Sequence, residues 1–437
     1  MKVCFIDTWL ALENFGPIHK ALKLKGIDSM LIHTSSFDSS NIEKKEQIIN
    51  GMLCRDISFY NTRFIYNAIK FEKPDVILNL TSFYILDRAI NYICRTLDIT
   101  SIFLMPGTRE IDLVYIENEE YHHRFKQLNS QRLSRAKKYL LYTIPNYFYS
   151  GFKYNKYFLF SIEPWKSLIQ LFLNPAKKAM YPTPSSEIHA DKALVFSDVY
   201  KLFFKTMYGY KDDKIVCVGN PKLDGVFEYL VNPPKKEKIN KLLIQHSLPR
   251  EQPFITFLTS PFVESGYKGW TREFRVREYK RIQKIINKYG YHLVLKLHPS
   301  MFNDQFLYDY GEEDGVTVVD NIDTPLLTYL SSSVLGHSSS TLLLPIVYGK
   351  ALIIIRWESC AFINDRFSEY GVSYLSTDNN DLEKYISNID ALTKEQTHNK
   401  KRDEYIDKFI QFKDNQSMSR IVDELISNKE RKKVKIK

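Results

Sequence analysis

A chain of 437 residues, 44% of them hydrophobic, is long enough for two well-buried domains and too long for a single core to be the default. Its five cysteines (Cys4, Cys54, Cys94, Cys217, Cys360) are scattered and never spaced Cys-x-x-Cys, which argues against a disulfide framework or a zinc site and for a reducing compartment. The net charge of +10, from 61 basic against 51 acidic residues, comes with no signal-peptide layout at Met1-Lys2-Val3 and no apolar run of 18 or more, so no spanning helix is expected.

Along the first half, apolar runs at Val3–Ile6, Ser29–Ile32, Asp75–Leu80, Ser101–Leu104, Ala193–Phe196 and Lys214–Val218 read as strands. Segments of helical spacing separate them: Ile18–Lys25, Tyr84–Thr96 and Val199–Met207. Asp7 closes the first strand, and Asn14-Phe15-Gly16-Pro17 is expected to open the next helix, with Gly16 letting the backbone approach a substrate. Between Arg135 and Pro182, lysines 137, 138, 153, 156, 166, 177 and 178 interleave with a dense set of Tyr, Phe and Trp, and acid is nearly absent. Cationic stems beside amphipathic rings suit the headgroup layer of an anionic membrane. The same aromatics equally suit the packed edge of a domain. No recognised RNA- or DNA-binding signature accompanies them, so nucleic acid is not an expected partner.

The strand-helix alternation repeats in the second half: strand Phe254–Leu258, helix Arg272–Lys288, strands His292–Leu297 and Val316–Val319, helix Pro325–Ser331, strand Ser333–Leu335, helix Ser340–Tyr348 and strand Ala351–Ile355. Beyond Asp381 the pattern is helical and polar, ending in a basic tail, Lys429–Lys437. The expected organisation is α/β: two doubly wound, Rossmann-like domains facing a cleft, followed by a helical C-terminal segment. Residues 1–220 form the first domain, 221–250 a linker marked by Asn232-Pro233-Pro234, 251–390 the second domain, and 391–437 the terminal helices and tail.

Two stretches of the second domain carry chemistry. In Gly336-His337-Ser338-Ser339-Ser340-Thr341 a short strand runs into a hydroxyl-rich helix start, where unpaired backbone N–H groups and the positive end of the helix dipole suit a phosphate. One serine would suffice for an ordinary cap. In Lys296-Leu297-His298-Pro299-Ser300, a His at a strand end precedes a proline that turns the chain, placing an imidazole where it can donate to a phosphate or protonate a leaving group.

The order Gly219-Asn220-Pro221-Lys222-Leu223-Asp224, Thr259-Ser260-Pro261, Lys296-Leu297-His298-Pro299, Ser338-Ser339-Ser340-Thr341 and Tyr348-Gly349-Lys350 resembles the C-terminal half of GT-B glycosyltransferases, over most of residues 190 to 360. The His-Pro pair followed by serines is similar to the motifs of bacterial sialyltransferases, polysialyltransferases and capsular Kdo transferases, which use CMP-activated sugars. That resemblance implies that His298, Ser338, Ser339 and Ser340 hold the donor phosphate. Similar layouts occur in CDP-glycerol transferases and in non-hydrolysing UDP-GlcNAc 2-epimerases. Where many UDP-sugar enzymes of this fold place a ribose-binding Glu, this chain has Leu342, Leu343, Leu344 and Pro345, which counts against a UDP-hexose donor. The Glu-Ala-Gly-Leu-Arg stretch of the epimerases is replaced by Leu104-Met105-Pro106-Gly107-Thr108-Arg109-Glu110. The acidic Asp/Glu-Asp/Glu-Gly motif of the sialyltransferase-like families occurs here only as Glu313-Asp314-Gly315, in the wrong domain, which leaves the general base unassigned by motif.

An inverting transferase needs a group to take the acceptor hydroxyl proton. Glu110 and Asp112, beyond the Pro106-Gly107 turn, are the catalytic candidates beside His298, and Arg109 is placed to hold an anionic substrate group. Ser260, Pro299, Gly336, Thr341, Arg356 and Glu358, all at strand ends, complete the expected nucleotide-sugar contacts. The run Glu117-Asn118-Glu119-Glu120-Tyr121-His122-His123 lacks a strict ligand spacing, so no metal and no cofactor are expected. The resulting expectation is a cytoplasmic glycosyltransferase of surface polysaccharide or glycolipid assembly, peripheral on the inner face of the membrane, moving a sialic-acid- or Kdo-like sugar from a CMP donor to a glycan or glycolipid hydroxyl. A UDP- or CDP-linked donor, 2-epimerase chemistry and a non-catalytic glycan- or membrane-binding module stay open as alternatives.

Overall fold

The structure, a computed structural model, describes residues 1–7, 11–37, 44–80, 84–106, 130–173, 185–267, 269–337, 339–357 and 366–435. The chain divides into two compact units, each built on a twisted, mainly parallel sheet with helices on both faces.

Among the described residues, unit 1 takes those up to Pro221 and, after a long excursion, residues 416–435. Its eight strands are β1 (Lys2–Asp7), β2 (Asp28–His33), β3 (Glu46–Ile49), β4 (Met52–Asp56), β5 (Val76–Asn79), β6 (Thr100–Leu104), β7 (Lys192–Val195) and β8 (Ile215–Cys217), in the order β3-β4-β2-β1-β5-β6-β7-β8. All pair in parallel except β3, which closes one edge as an antiparallel hairpin with β4 through Asn50 and Gly51, both at positive φ. The alternation of side chains along β1 explains why its apolar run is unbroken. Val3 and Phe5 face helix Leu12–Leu24 and the C-terminal helix Ser417–Lys435, whereas Cys4 and Ile6 face helices Ile65–Glu72 and Ile85–Leu97. Phe15 stacks on Phe5 with ring centroids 4.6 Å apart. The C-terminal helix seats Ile421, Val422 and Leu425 in the same cluster and is tied down by the Lys192–Glu424 ion pair and by Arg420, which donates to the Val218 carbonyl. Residues 391–437, taken from sequence as one terminal segment, are thus shared between the two units.

Unit 2 spans residues 222–415 among those described. Its strands are β9 (Phe254–Leu258), β10 (His292–Lys296), β11 (Val316–Val319), β12 (Ser333–Gly336), β13 (Ala351–Ile355) and β14 (Tyr374–Ser376), in the order β11-β10-β9-β12-β13-β14. Strand order therefore reverses between β9 and β12, the arrangement that opens a crevice at the carboxyl ends of those two strands. Ile255 and Phe257 of β9 pack under helix Arg272–Lys288, while Phe254 meets Leu326 and Leu327 of helix Thr324–Leu330 on the other face. The stretch 221–250, expected as a linker, contains helix Lys236–Gln245, whose Leu242 joins that second cluster.

Candidate functional site

In unit 2 the parallel register pairs Leu258 with both Lys296 and Gly336, and Gly336 with Ile354. The next residues out, Thr259, Leu297, His337 and Ile355, therefore form a level row across four adjacent strand ends. With strands about 4.8 Å apart, the row is roughly 15 Å long. Ser260, His298, Ser339 and Arg356 follow one or two residues beyond it, so the structure brings these four expected residues to one edge of the sheet.

Thr259 fastens the row together. Its hydroxyl donates to the Lys296 carbonyl at 3.0 Å and accepts the His298 backbone N–H at 3.2 Å, so the end of β9 fixes where the imidazole leaves β10. His298 is exposed and caps the short turn Pro299–Met301. Its Nδ1 receives the Ser300 backbone N–H at 3.2 Å and contacts the Ser300 hydroxyl at 2.9 Å. A ring that accepts at Nδ1 carries its proton, when neutral, at Nε2. Pro299 is exposed, and its ring supplies the fixed φ of the first turn position.

Beyond β12 the chain does not enter an α-helix directly. Ser339, in extended conformation, caps a 3-10 turn Ser340–Leu342 by accepting the Thr341 N–H at 3.2 Å and bonding the Thr341 hydroxyl; helix Leu343–Tyr348 follows and ends at Gly349, φ 66°. Leu342, Leu343, Leu344 and Pro345 are all buried, so this helix start is anchored by apolar packing and presents its hydroxyls at the surface end. Gly336 has a packing reason of its own: a Cβ there would lie 2.3 Å from Leu342. Ser338 and Glu358 fall outside the described residues.

Beneath the row is an aromatic floor that the sequence reading did not single out. Phe262, Trp270, Trp357 and the buried His337 ring pack with centroids 4.4 to 5.8 Å apart. His337 Nδ1 lies 2.7 Å from the Ile355 carbonyl, an arrangement in which the ring donates and links β12 to β13. Also unforeseen is Arg275, fully buried on helix Arg272–Lys288. It donates to Glu264 at 2.7 Å and to Asp304, so one guanidinium ties the loop after β9 to the loop after β10, the loop that carries His298. At the end of β11, the Asn321 backbone N–H and the Tyr308 hydroxyl hold Asp320 below the usual carboxylate range, keeping an anion at this edge. Among the described residues no cluster of His, Cys, Asp or Glu is arranged to hold a metal ion.

In unit 1 the strand order reverses between β1 and β5. Asp7 ends β1, and Asn79 ends β5, buried with an Oδ1 that meets no donor. Gly16 lies inside helix Leu12–Leu24, four residues past its start, and a Cβ there would meet nothing within 4 Å. The helix opens before the Asn14–Pro17 stretch and carries Pro17 inside it. Arg109, Glu110 and Asp112 lie outside the described residues.

No family model and no curated protein sequence matches the chain. Solved structures do. The wall teichoic acid polymerase TagF with CDPG superposes with a TM-score of 0.56 at 13% identity, over 99% of this chain and 90% of that one. UDP-GlcNAc 2-epimerase from Methanocaldococcus jannaschii, in complex with UDP-GlcNAc and UDP, gives 0.53 at 14% identity, over 98% and 100%. The Neisseria meningitidis enzyme of the same name, bound to UDP-GlcNAc, gives 0.51 at 13%, again over 98% and 100%. At these identities the likeness establishes the fold alone: two Rossmann-like sheets of GT-B type with a helical C-terminus.

Proposed function

We propose that the chain is a glycosyltransferase of surface polysaccharide or glycolipid assembly, acting at the inner face of the membrane and moving a sialic-acid- or Kdo-like sugar from a CMP-linked donor to a glycan hydroxyl. The observation that carries the reading is the gathering of Ser260, His298, Ser339 and Arg356 at the strand reversal of unit 2, on a fold shared with nucleotide-sugar enzymes. In the reaction the acceptor oxygen bonds to the anomeric carbon, the bond from that carbon to the donor phosphate breaks, and the nucleotide leaves with the electron pair. His298, through Nε2–H, and the hydroxyls of Ser338 to Thr341 meet the charge that grows on the phosphate. Glu110 or Asp112 takes the acceptor proton, Arg109 holds an anionic group of the acceptor or the donor, and Gly16 contacts substrate. Pro299 and Gly336 shape the phosphate loops, while Ser260, Arg356 and Glu358 contact nucleotide or sugar.

The choice of CMP rests on the resemblance of the His-Pro and serine motifs and on buried Leu342–Pro345, which offer a ribose no carboxylate. A specific observation favours a second reading: the similar solved structures carry UDP, UDP-GlcNAc or CDPG, so a UDP- or CDP-linked donor, used for transfer or for epimerisation, is the rival. A degenerate, non-catalytic module is the third. A thermal-shift panel with CMP, CDP, UDP and GDP on wild type and Ser339→Ala separates them. Stabilisation by CMP alone, weakened in the variant, is expected. A preference for UDP or CDP transfers the function to the rival, and silence toward all four nucleotides removes the catalytic reading.

A further inference from the structure

Among the described residues, 152–169 of unit 1 carry the densest run of exposed large apolar side chains. Phe160 is 86% exposed, Ile162 79%, Tyr157 76%, Ile169 56% and Trp165 48%, and all project from the turn and helix Ile162–Leu173 that follow helix Ser130–Tyr154. Lys153, Lys156 and Lys166 are exposed among them. Isolated apolar residues on a surface need no explanation; a run of this density does.

These side chains are held outward by a rigid base. Phe158 is buried against the Tyr92 and Tyr147 rings, at 5.1 and 5.4 Å, and sits so close to Gly151 that a Cβ there would lie 2.3 Å from its ring. Leu168 is buried in the same cluster. Much of the turn's hydrogen bonding is made from within. The N–H groups of Asn155, Phe158, Phe160 and Ser161 donate to the carbonyls of Gly151, Asn155, Tyr157 and Phe158, and the Tyr157 N–H donates to Asn155 Oδ1 at 3.0 Å. The Trp165 indole N–H is bonded to the Leu159 carbonyl at 3.0 Å. A surface entering an apolar layer needs this, because a backbone or indole donor left unpaired there is costly.

We infer that residues 152–169 are a membrane-docking surface: the turn around Phe160 and Ile162 enters the acyl boundary of an anionic bilayer while Lys153, Lys156 and Lys166 meet its headgroups. Among the described residues no helix is long and apolar enough to cross a membrane, so the contact is interfacial. A second copy of the chain fits the patch less well. A two-fold interface would bring two copies of the same basic patch together, and lysine is depleted from interface cores. The inference concerns a surface of unit 1 and stands independently of the donor assigned to unit 2.

The test uses the full chain and sedimentation with phosphatidylcholine vesicles, with and without phosphatidylglycerol, at low and high salt. Wild type is expected to pellet with the anionic vesicles at low salt and to remain in solution with the neutral ones. Replacing the three lysines by Gln should weaken partitioning about a hundredfold, and Phe160→Asp with Ile162→Asp should abolish it. Both variants are expected to keep the wild-type melting temperature, since every changed side chain is exposed. The emission difference between wild type and Trp165→Phe should shift to shorter wavelength when anionic vesicles are added. Failure of wild type to pellet, equal pelleting of both variants, or a dimer in gel filtration that Phe160→Asp with Ile162→Asp converts to monomer would each overturn the inference, the last by making the patch a protein interface.

Discussion

Asp56 shows how a single carboxylate in unit 1 couples fold to pH. It is fully buried at the end of β4, and burial alone would raise its pKa. The His33 ring at 3.1 Å and the backbone N–H groups of Ser58 and Ser36 more than offset this and hold it at about 2. A depressed folded-state pKa contributes stability above the unfolded value near 3.8, and that contribution is lost as pH falls through about 2. Asp56→Asn is therefore expected to lose about 2 kcal/mol at pH 7. In urea titrations the stabilities of wild type and variant should converge between about pH 4 and pH 2. A constant gap across that range would rule out the electrostatic origin. The residue scale is also where sequence reading was least complete. His298 and Ser339 were legible because each sits where an apolar run stops. Arg275 was not, since an arginine in a charged amphipathic helix looks solvated until Glu264 and Asp304, from two different loops, close over it. Thr259 was read as part of a motif, but its latch on His298 depends on two strands lying side by side.

Among the elements, the C-terminal helix Ser417–Lys435 makes the sharpest claim. Leu425 is 0% exposed between helix Leu12–Leu24 and the sheet of unit 1. Leu425→Ala should cost about 2–5 kcal/mol, measured as a drop in the denaturation midpoint; no change would mean that the helix is not docked in solution. Elements with fully buried runs, such as β9 and β13, are legible residue for residue, because burial on both faces leaves at most one small polar residue, Thr256 in β9, among the apolar ones. The β3–β4 hairpin was missed: β3 alternates exposed and half-buried residues and has no apolar run, although Asn50-Gly51 carries the turn signal. Helix Ser130–Tyr154 was hidden by Pro145 and Gly151 within it, and Gly151 is required there by the approach of Phe158. The start of helix Leu12–Leu24 was placed too late for a related reason, the Gly16-Pro17 pair being read as punctuation.

At the scale of the whole molecule, two units with separate cores should unfold in more than one step. In calorimetry a bound nucleotide is expected to raise the transition of unit 2, by about 2.7 kcal/mol at a hundredfold excess over its Kd. Leu425→Ala should lower the other transition. One transition displaced by both would contradict this. The strand-helix alternation makes both sheets legible from sequence apart from β3, β4 and β14. The return of the last helix to the first unit was not, because periodicity reveals the apolar stripe of Ile421, Val422 and Leu425 but not which surface covers it. That return sets an order for biosynthesis. Among the described residues unit 2 is one continuous stretch and has all its strands once residue 415 has emerged. Unit 1 must wait, since helix Leu12–Leu24 and its partner helix are roughly 400 residues apart. At ribosomal speeds of about 5–20 residues per second, the face of Phe15, Ile18 and Leu22 awaits its cover for about 20–80 s. The domain translated first is the domain completed last, and during that interval its uncovered stripe is a target for chaperones.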